Sequence, residues 1–153
     1  MLMQLTTARF LASAAMRPRV LIVDDENLIC ELLGLVLEED YEVVCACTSN
    51  EALQLLAEQS IDVMLLDHHL PPGGAVAVAR RADEIGVPMV WMTGDHAAAE
   101  THSRPVLLKP FHIDRVSAVL TEVRKSSHLL IKPRNQPGRL PSSDSALGGA
   151  SFA

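Results

Sequence analysis

At 153 residues, with 48% hydrophobic residues and a formal charge of −6, the chain has the length for one domain with a real core. No apolar run reaches the roughly 18 residues of a membrane span. Between Pro18 and His128 acidic residues outnumber basic ones 18 to 8, so the folded part repels nucleic acid, and direct binding to it is not expected.

The chain opens on residues 1–17, read as an extension outside the fold. Ala12-Ser13-Ala14-Ala15 faintly resembles a signal-peptide cleavage site, but the apolar stretch before it is short and broken by Thr6, Thr7 and Arg9. Met16 is a candidate native start. A first strand is predicted near 19–23 and a first helix near 27–38, with Leu28, Ile29, Leu32, Leu33, Val36 and Leu37 as its apolar stripe. Val43-Val44-Cys45-Ala46-Cys47 reads as a second, buried strand. Its alternation points both cysteines to one face. With Cys30 they fit neither a disulfide framework nor a zinc pattern, and small buried thiols are expected.

Thr48-Ser49-Asn50-Glu51 is a capping box opening a second helix. A third strand near 62–66 leads to Pro71-Pro72-Gly73-Gly74, a loop signal. A third helix near 75–84 and a fourth strand near 87–92 follow. The connection from Asp95 to Arg104 has only alanine as apolar content, so its helix is expected to be short, loose or absent. A fifth strand near 105–108 and a last helix near 112–125 complete a domain placed at 18–128. Residues 129–153 are rich in Pro, Gly and Ser and read as a disordered tail. Alternating strands and helices imply an α/β, doubly wound parallel sheet of five strands.

Four of the apolar runs end on polar groups. Val23 is followed by Asp24-Asp25, Leu66 by Asp67, Met92 by Thr93 and Leu108 by Lys109-Pro110. In an open parallel sheet the C-terminal strand ends share one edge, where ligands bind. Each signal alone is ordinary cap or turn chemistry. Together, three carboxylates, a hydroxyl and an ammonium suit a divalent cation and an oxyanion. Mg2+ takes oxygen ligands and usually one or two carboxylates plus phosphate. It would let Asp67 accept a phosphoryl group, with Thr93 donating to one phosphoryl oxygen and Lys109 pairing with another.

Val20-Leu-Ile-Val-Asp-Asp-Glu26, Leu65-Leu-Asp-His-His-Leu-Pro71, Met92-Thr-Gly94 and Leu108-Lys-Pro-Phe111 resemble the receiver domain of two-component response regulators over roughly 18–126. The resemblance implies a flavodoxin-like sheet of order 2-1-3-4-5. It implies Asp67 as phospho-acceptor, and a Mg2+ site made by Asp24, Asp25, Asp67 and the backbone carbonyl of His69, with Asp25 the direct ligand of the acidic pair. Thr93 and Lys109 become the switch hydroxyl and phosphate-pairing lysine, and the bond to Pro110 is expected to be cis. By the same analogy His69 and Asp95 flank the path of water to phospho-Asp67 and are candidates for tuning its lifetime.

The shortened fourth connection and Trp91-Met-Thr-Gly94 resemble the stand-alone receivers of alphaproteobacteria, although Asp95 stands where that motif has Tyr. Val106 stands where typical receivers carry the aromatic that reports phosphorylation. The implied protein is a cytoplasmic signalling phospho-acceptor, not a turnover enzyme. Its phosphoryl donor is a histidine kinase or histidine phosphotransfer protein, and it signals by binding a partner or by relaying or draining phosphate. The downstream partner is unknown and homodimerisation is left open. A receiver-like module that binds without phosphorylation is the alternative. A haloacid-dehalogenase-type phosphatase ranks last, because Asp24-Asp25-Glu26 lacks the Asp-x-Asp spacing. The six histidines lack partners at metal-ligand spacing and are expected to be solvated or in loops.

Overall fold

Residues 17–130 are described by the computed structural model, so the readings of residues 1–16 and of 131–153 lie outside the described residues. The apolar runs pair as one parallel sheet of order β2-β1-β3-β4-β5, with β1 Arg19–Val23, β2 Glu42–Ala46, β3 Val63–Asp67, β4 Met89–Thr93 and β5 Val106–Leu108. Helices α1 Asn27–Leu37, α2 Ser49–Glu58, α3 Gly74–Ile85, α4 His96–Thr101 and α5 Ile113–Leu130 alternate with them.

Period-two alternation divides the sheet between two cores. Leu21, Val23, Met64, Leu66 and Trp91 meet α2 and α3 through Leu56, Val78 and Ala82. Val20, Ile22, Leu65, Val90 and Met92 meet α1 and α5 through Cys30, Leu33, Leu37, Val116 and Leu120. Covering on both faces explains why β1, β3 and β4 are almost wholly buried and have uninterrupted apolar sequences. On α1 only part of the expected stripe is covered, and Leu28, Leu32 and Leu35 face outward.

The boundaries have local causes. Pro88 has no N–H, but its carbonyl accepts from Met64, so β4 starts at Met89 rather than 87. Gly86 at φ 77 closes α3, with its own N–H on Asp83 O and the Val87 N–H on Ala82 O. This return feeds the chain directly into β4. α4 forms, but with only six residues. α5 continues past the expected 125 to Leu130, because no Gly or Pro interrupts Lys125-Ser-Ser-His-Leu-Leu.

The buried-thiol reading fails for two of the three cysteines. Cys30 is buried, but Cys45 is exposed and Cys47 half-buried. The reason is sheet order: β2 is an edge strand, paired through β1 alone.

Thr48 caps α2 as expected, its Oγ1 accepting from Glu51 N at 3.1 Å. The return arm differs, since Glu51 Oε2 accepts from Cys47 N at 2.8 Å, one residue before the cap. Thr48→Ala should therefore cost about 1 kcal/mol in urea unfolding, while Asn50→Ala, exposed in the same turn, should change little. Equal effects of the two substitutions would show that the cap is not what stabilises this turn.

Candidate acidic site at the strand ends

Parallel pairing places the ends of β1, β3, β4 and β5 side by side, so their following residues converge. Asp24, Asp67 and Thr93 are buried, and Asp25 is exposed at the rim. One oxygen each of Asp24, Asp25 and Asp67 lies within 4.8 Å of the others. Asp24 is engaged at both oxygens: Oδ1 accepts from Glu26 N at 3.0 Å, and Oδ2 from Lys109 Nζ at 2.8 Å. Lys109 Nζ also stands 3.4 Å from Asp67 Oδ1. That is an ion-pair distance without hydrogen-bond geometry, and the buried Oδ1 has no hydrogen-bond partner among the described residues.

The backbone fixes Lys109 as well. Its N–H donates to Thr93 O at 2.7 Å, and the following bond to Pro110 is cis. Burial, and next the charge of Asp24, push the Asp67 carboxyl above the ordinary carboxylate range; Lys109 and the His69 N–H offset this only in part. For Lys109, burial works against the charged form. Its hydrogen bond to Asp24 and the charges of Asp24 and Asp67 outweigh burial, so the net shift is upward.

Thr93 Oγ1 accepts from Asp95 N at 3.0 Å, which leaves its own O–H free to donate elsewhere. The Asp95 carboxylate turns away to cap α4, with Oδ1 accepting from Ala97 N at 2.9 Å and Ala98 N at 3.3 Å. His69 is exposed beside the cluster.

One group was not legible from spacing. His102, at the C-cap of α4, stacks on Trp91 with centroids 5.1 Å apart and planes at 21°. His68, next to Asp67, meets both rings edge-on at 5.3 and 5.8 Å. These two histidines lie in loops, as expected, but are half-buried and packed on one another and on Trp91. Trp91 also pairs in register with Val106, so the aromatic bulk near Thr93 is carried on β4 rather than β5.

The donor set fits a hard divalent cation. Three carboxylates converge, and a buried carboxylate oxygen is left unpartnered where added positive charge would satisfy it.

A family model described as the response regulator receiver domain matches residues 20–121. Among curated proteins, the chain is 32% identical over 127 residues to the transcriptional regulatory protein AruR of Pseudomonas aeruginosa, across 72% of this chain and 52% of that protein. It is 30% identical over 133 residues to the regulatory protein VanR of Enterococcus faecium, across 79% and 57%. The chain thus spans about half the length of the curated relatives it matches. The crystal structure of a CheY-like receiver domain protein from Methanospirillum hungatei superposes with a TM-score of 0.67 at 22% identity, covering 75% of this chain and 99% of that one. A receiver protein from Sinorhizobium medicae gives 0.66 at 20% identity, covering 74% and 98%. At such identities the likeness concerns the fold, and it agrees with the observed strand order.

The raised Asp67 carboxyl has a consequence for stability. Between the ordinary carboxylate pKa and the raised one, the folded state binds more protons than the unfolded state. Stability therefore falls as pH rises through that window. In chelator, Asp67→Asn should be more stable than wild type at pH 7 by on the order of 1 kcal/mol, and the gain should vanish as pH falls below the ordinary carboxylate range. Denaturant titrations at several pH values check this. A variant less stable than wild type at pH 7 would mean that attraction to Lys109 outweighs burial and repulsion.

Proposed function

The chain belongs to the response regulator receiver domain family, and from that premise we propose that Asp67 accepts a phosphoryl group from a histidine kinase or histidine phosphotransfer protein. The observation that carries this reading is the Asp67 Oδ1 atom, buried and unpartnered, with the Lys109 ammonium 3.4 Å away. In the proposed step Asp67 attacks phosphorus, the O–P bond forms and the P–N bond to the donor imidazole breaks. Lys109 neutralises charge growing on the phosphoryl oxygens, and the free Thr93 O–H donates to another of them. Mg2+, held by Asp24, Asp25, Asp67 and the His69 backbone carbonyl, would supply further positive charge against those oxygens when bound. Asp25 fits the direct ligand better than Asp24, whose two oxygens already serve Glu26 N and Lys109.

The wider reading is a stand-alone, cytoplasmic receiver that acts by binding a partner or by relaying or draining phosphate. The six-residue α4 beside Trp91-Met-Thr-Gly94 supports the stand-alone subgroup, and the acidic fold opposes direct DNA binding. Among the described residues no helix is long and apolar enough to cross a membrane.

Asp67→Asn should abolish labelling by acetyl phosphate or a kinase while the circular dichroism spectrum stays unchanged. Intact folding with undiminished labelling would remove Asp67 from the role, and an unlabelled wild type would favour the phosphorylation-independent module. Asp25→Ala should weaken Mg2+ binding by about tenfold or more in calorimetry, and Asp24→Ala by less. Equal losses would contradict the division between the two acids.

Lifetime is proposed to depend on His69 and Asp95. Because Asp95 is also a cap, Asp95→Asn is the informative change: it keeps the cap and removes the charge. Its phospho-Asp67 half-life, and that of His69→Ala, should differ severalfold from wild type at unchanged melting temperature. Half-lives equal to wild type would leave Asp95 as a cap only and His69 as a bystander.

A further inference from the structure

An open cleft of about 1180 Å3 runs between α1 and the edge strand β2, and all three cysteines line it. Cys30 is 4% exposed on the inner face of α1, whereas Cys45 is exposed. Glycine brings the two elements together. A Cβ on Gly34 would stand 3.9 Å from Val43 Cγ1, ordinary van der Waals contact, so at this point α1 packs on the Val43 side chain of β2. Cys30 is one helical turn before Gly34, and Cys45 is two residues beyond Val43 on the same strand face. The seam therefore sets Cys30 against Cys45, and the Cys45 thiol donates to the Cys30 carbonyl at 3.8 Å.

We propose that Cys45 and Cys30 form a peroxide-oxidisable dithiol that closes into a disulfide and staples α1 to β2. The two thiols differ in the way such a pair requires. Cys45 is open to solvent because β2 ends the sheet, so it is the thiol that peroxide reaches first. Cys30 is sheltered and adjacent, its thiol donating to the Asp24 carbonyl at 3.7 Å, and it supplies the second sulfur once Cys45 is oxidised. With hydrogen peroxide as oxidant, the Cys45 thiolate attacks one oxygen, an S–O bond forms, the O–O bond breaks and hydroxide leaves. The Cys30 sulfur then attacks the sulfenic sulfur, the S–S bond forms, the S–O bond breaks, and hydroxide leaves with the thiol proton as water. Two thiols lose two electrons in all, and one peroxide becomes two waters.

Cys47 fits the resolving role less well. It lies one residue past the end of β2, in a bend rather than in the strand. Its thiol also donates to Asn27 Oδ1 at 2.7 Å.

The test treats the full chain with near-stoichiometric hydrogen peroxide, alkylates the remaining thiols, and maps peptides by mass spectrometry without reduction. One alkylated cysteine, Cys47, and a Cys30–Cys45 cross-link reversed by dithiothreitol are expected. Cys47→Ser should form the same link. Cys45→Ser, altered only at an exposed edge position, should form no intramolecular disulfide even though two thiols remain. Three alkylatable thiols in peroxide-treated wild type, a Cys45–Cys47 or Cys30–Cys47 link, or a disulfide only between chains would each overturn the proposal.

Discussion

A single ammonium group makes the acidic strand edge tolerable. Lys109 bonds buried Asp24 at 2.8 Å and stands 3.4 Å from buried Asp67, with Asp25 close by at the rim. Breaking a buried ion pair by removing one partner costs about 3–5 kcal/mol, because the other charge is left uncompensated. The ends of β1, β3 and β5 are therefore joined electrostatically as well as through the sheet, and the Lys109–Thr93 backbone bond adds β4. Among the described residues compensation is incomplete: one cation faces three carboxylates, and Asp67 Oδ1 accepts no hydrogen bond. The site is stable enough to fold and still receptive to more positive charge.

The order of elements was legible because it rests on local patterns. Val20-Leu-Ile-Val23 and Val63-Met-Leu-Leu66 are uninterrupted because both faces of β1 and β3 are covered, and their polar successors mark the strand ends. What depended on sheet order was not legible. Val43-Val-Cys-Ala-Cys47 reads as a buried strand, yet β2 lies at an edge and Cys45 is exposed. Side-chain choices within the site were hidden as well. Residue types placed Lys109 near the acids, but only packing decides that it hydrogen-bonds Asp24 and leaves Asp67 Oδ1 open. Asp95 preceding His-Ala-Ala-Ala was a cap signal, obscured because the helix it opens is so short. No periodicity links His68, Trp91 and His102, which meet only because β3, β4 and the end of α4 are neighbours.

The same neighbours bear on how Thr93 is coupled to its surroundings. α4 is held at one end by Asp95, whose N–H donates to Thr93, and at the other by His102 stacked on Trp91, two residues before Thr93 on the same strand face. Both ends of this short helix are thus attached to groups that adjoin the proposed switch hydroxyl. With Val106 in place of an aromatic on β5, the bulky ring beside Thr93 belongs to β4.

The central claim is that Asp67, and no other aspartate of the site, is the residue that bonds phosphorus. Reducing the acetyl-phosphate-treated chain with borohydride converts an aspartyl phosphate to homoserine, which peptide mass spectrometry locates. The account predicts homoserine at Asp67 alone. Homoserine at Asp24 or Asp25, or at no aspartate in a chain that carries the phosphoryl group, would contradict it.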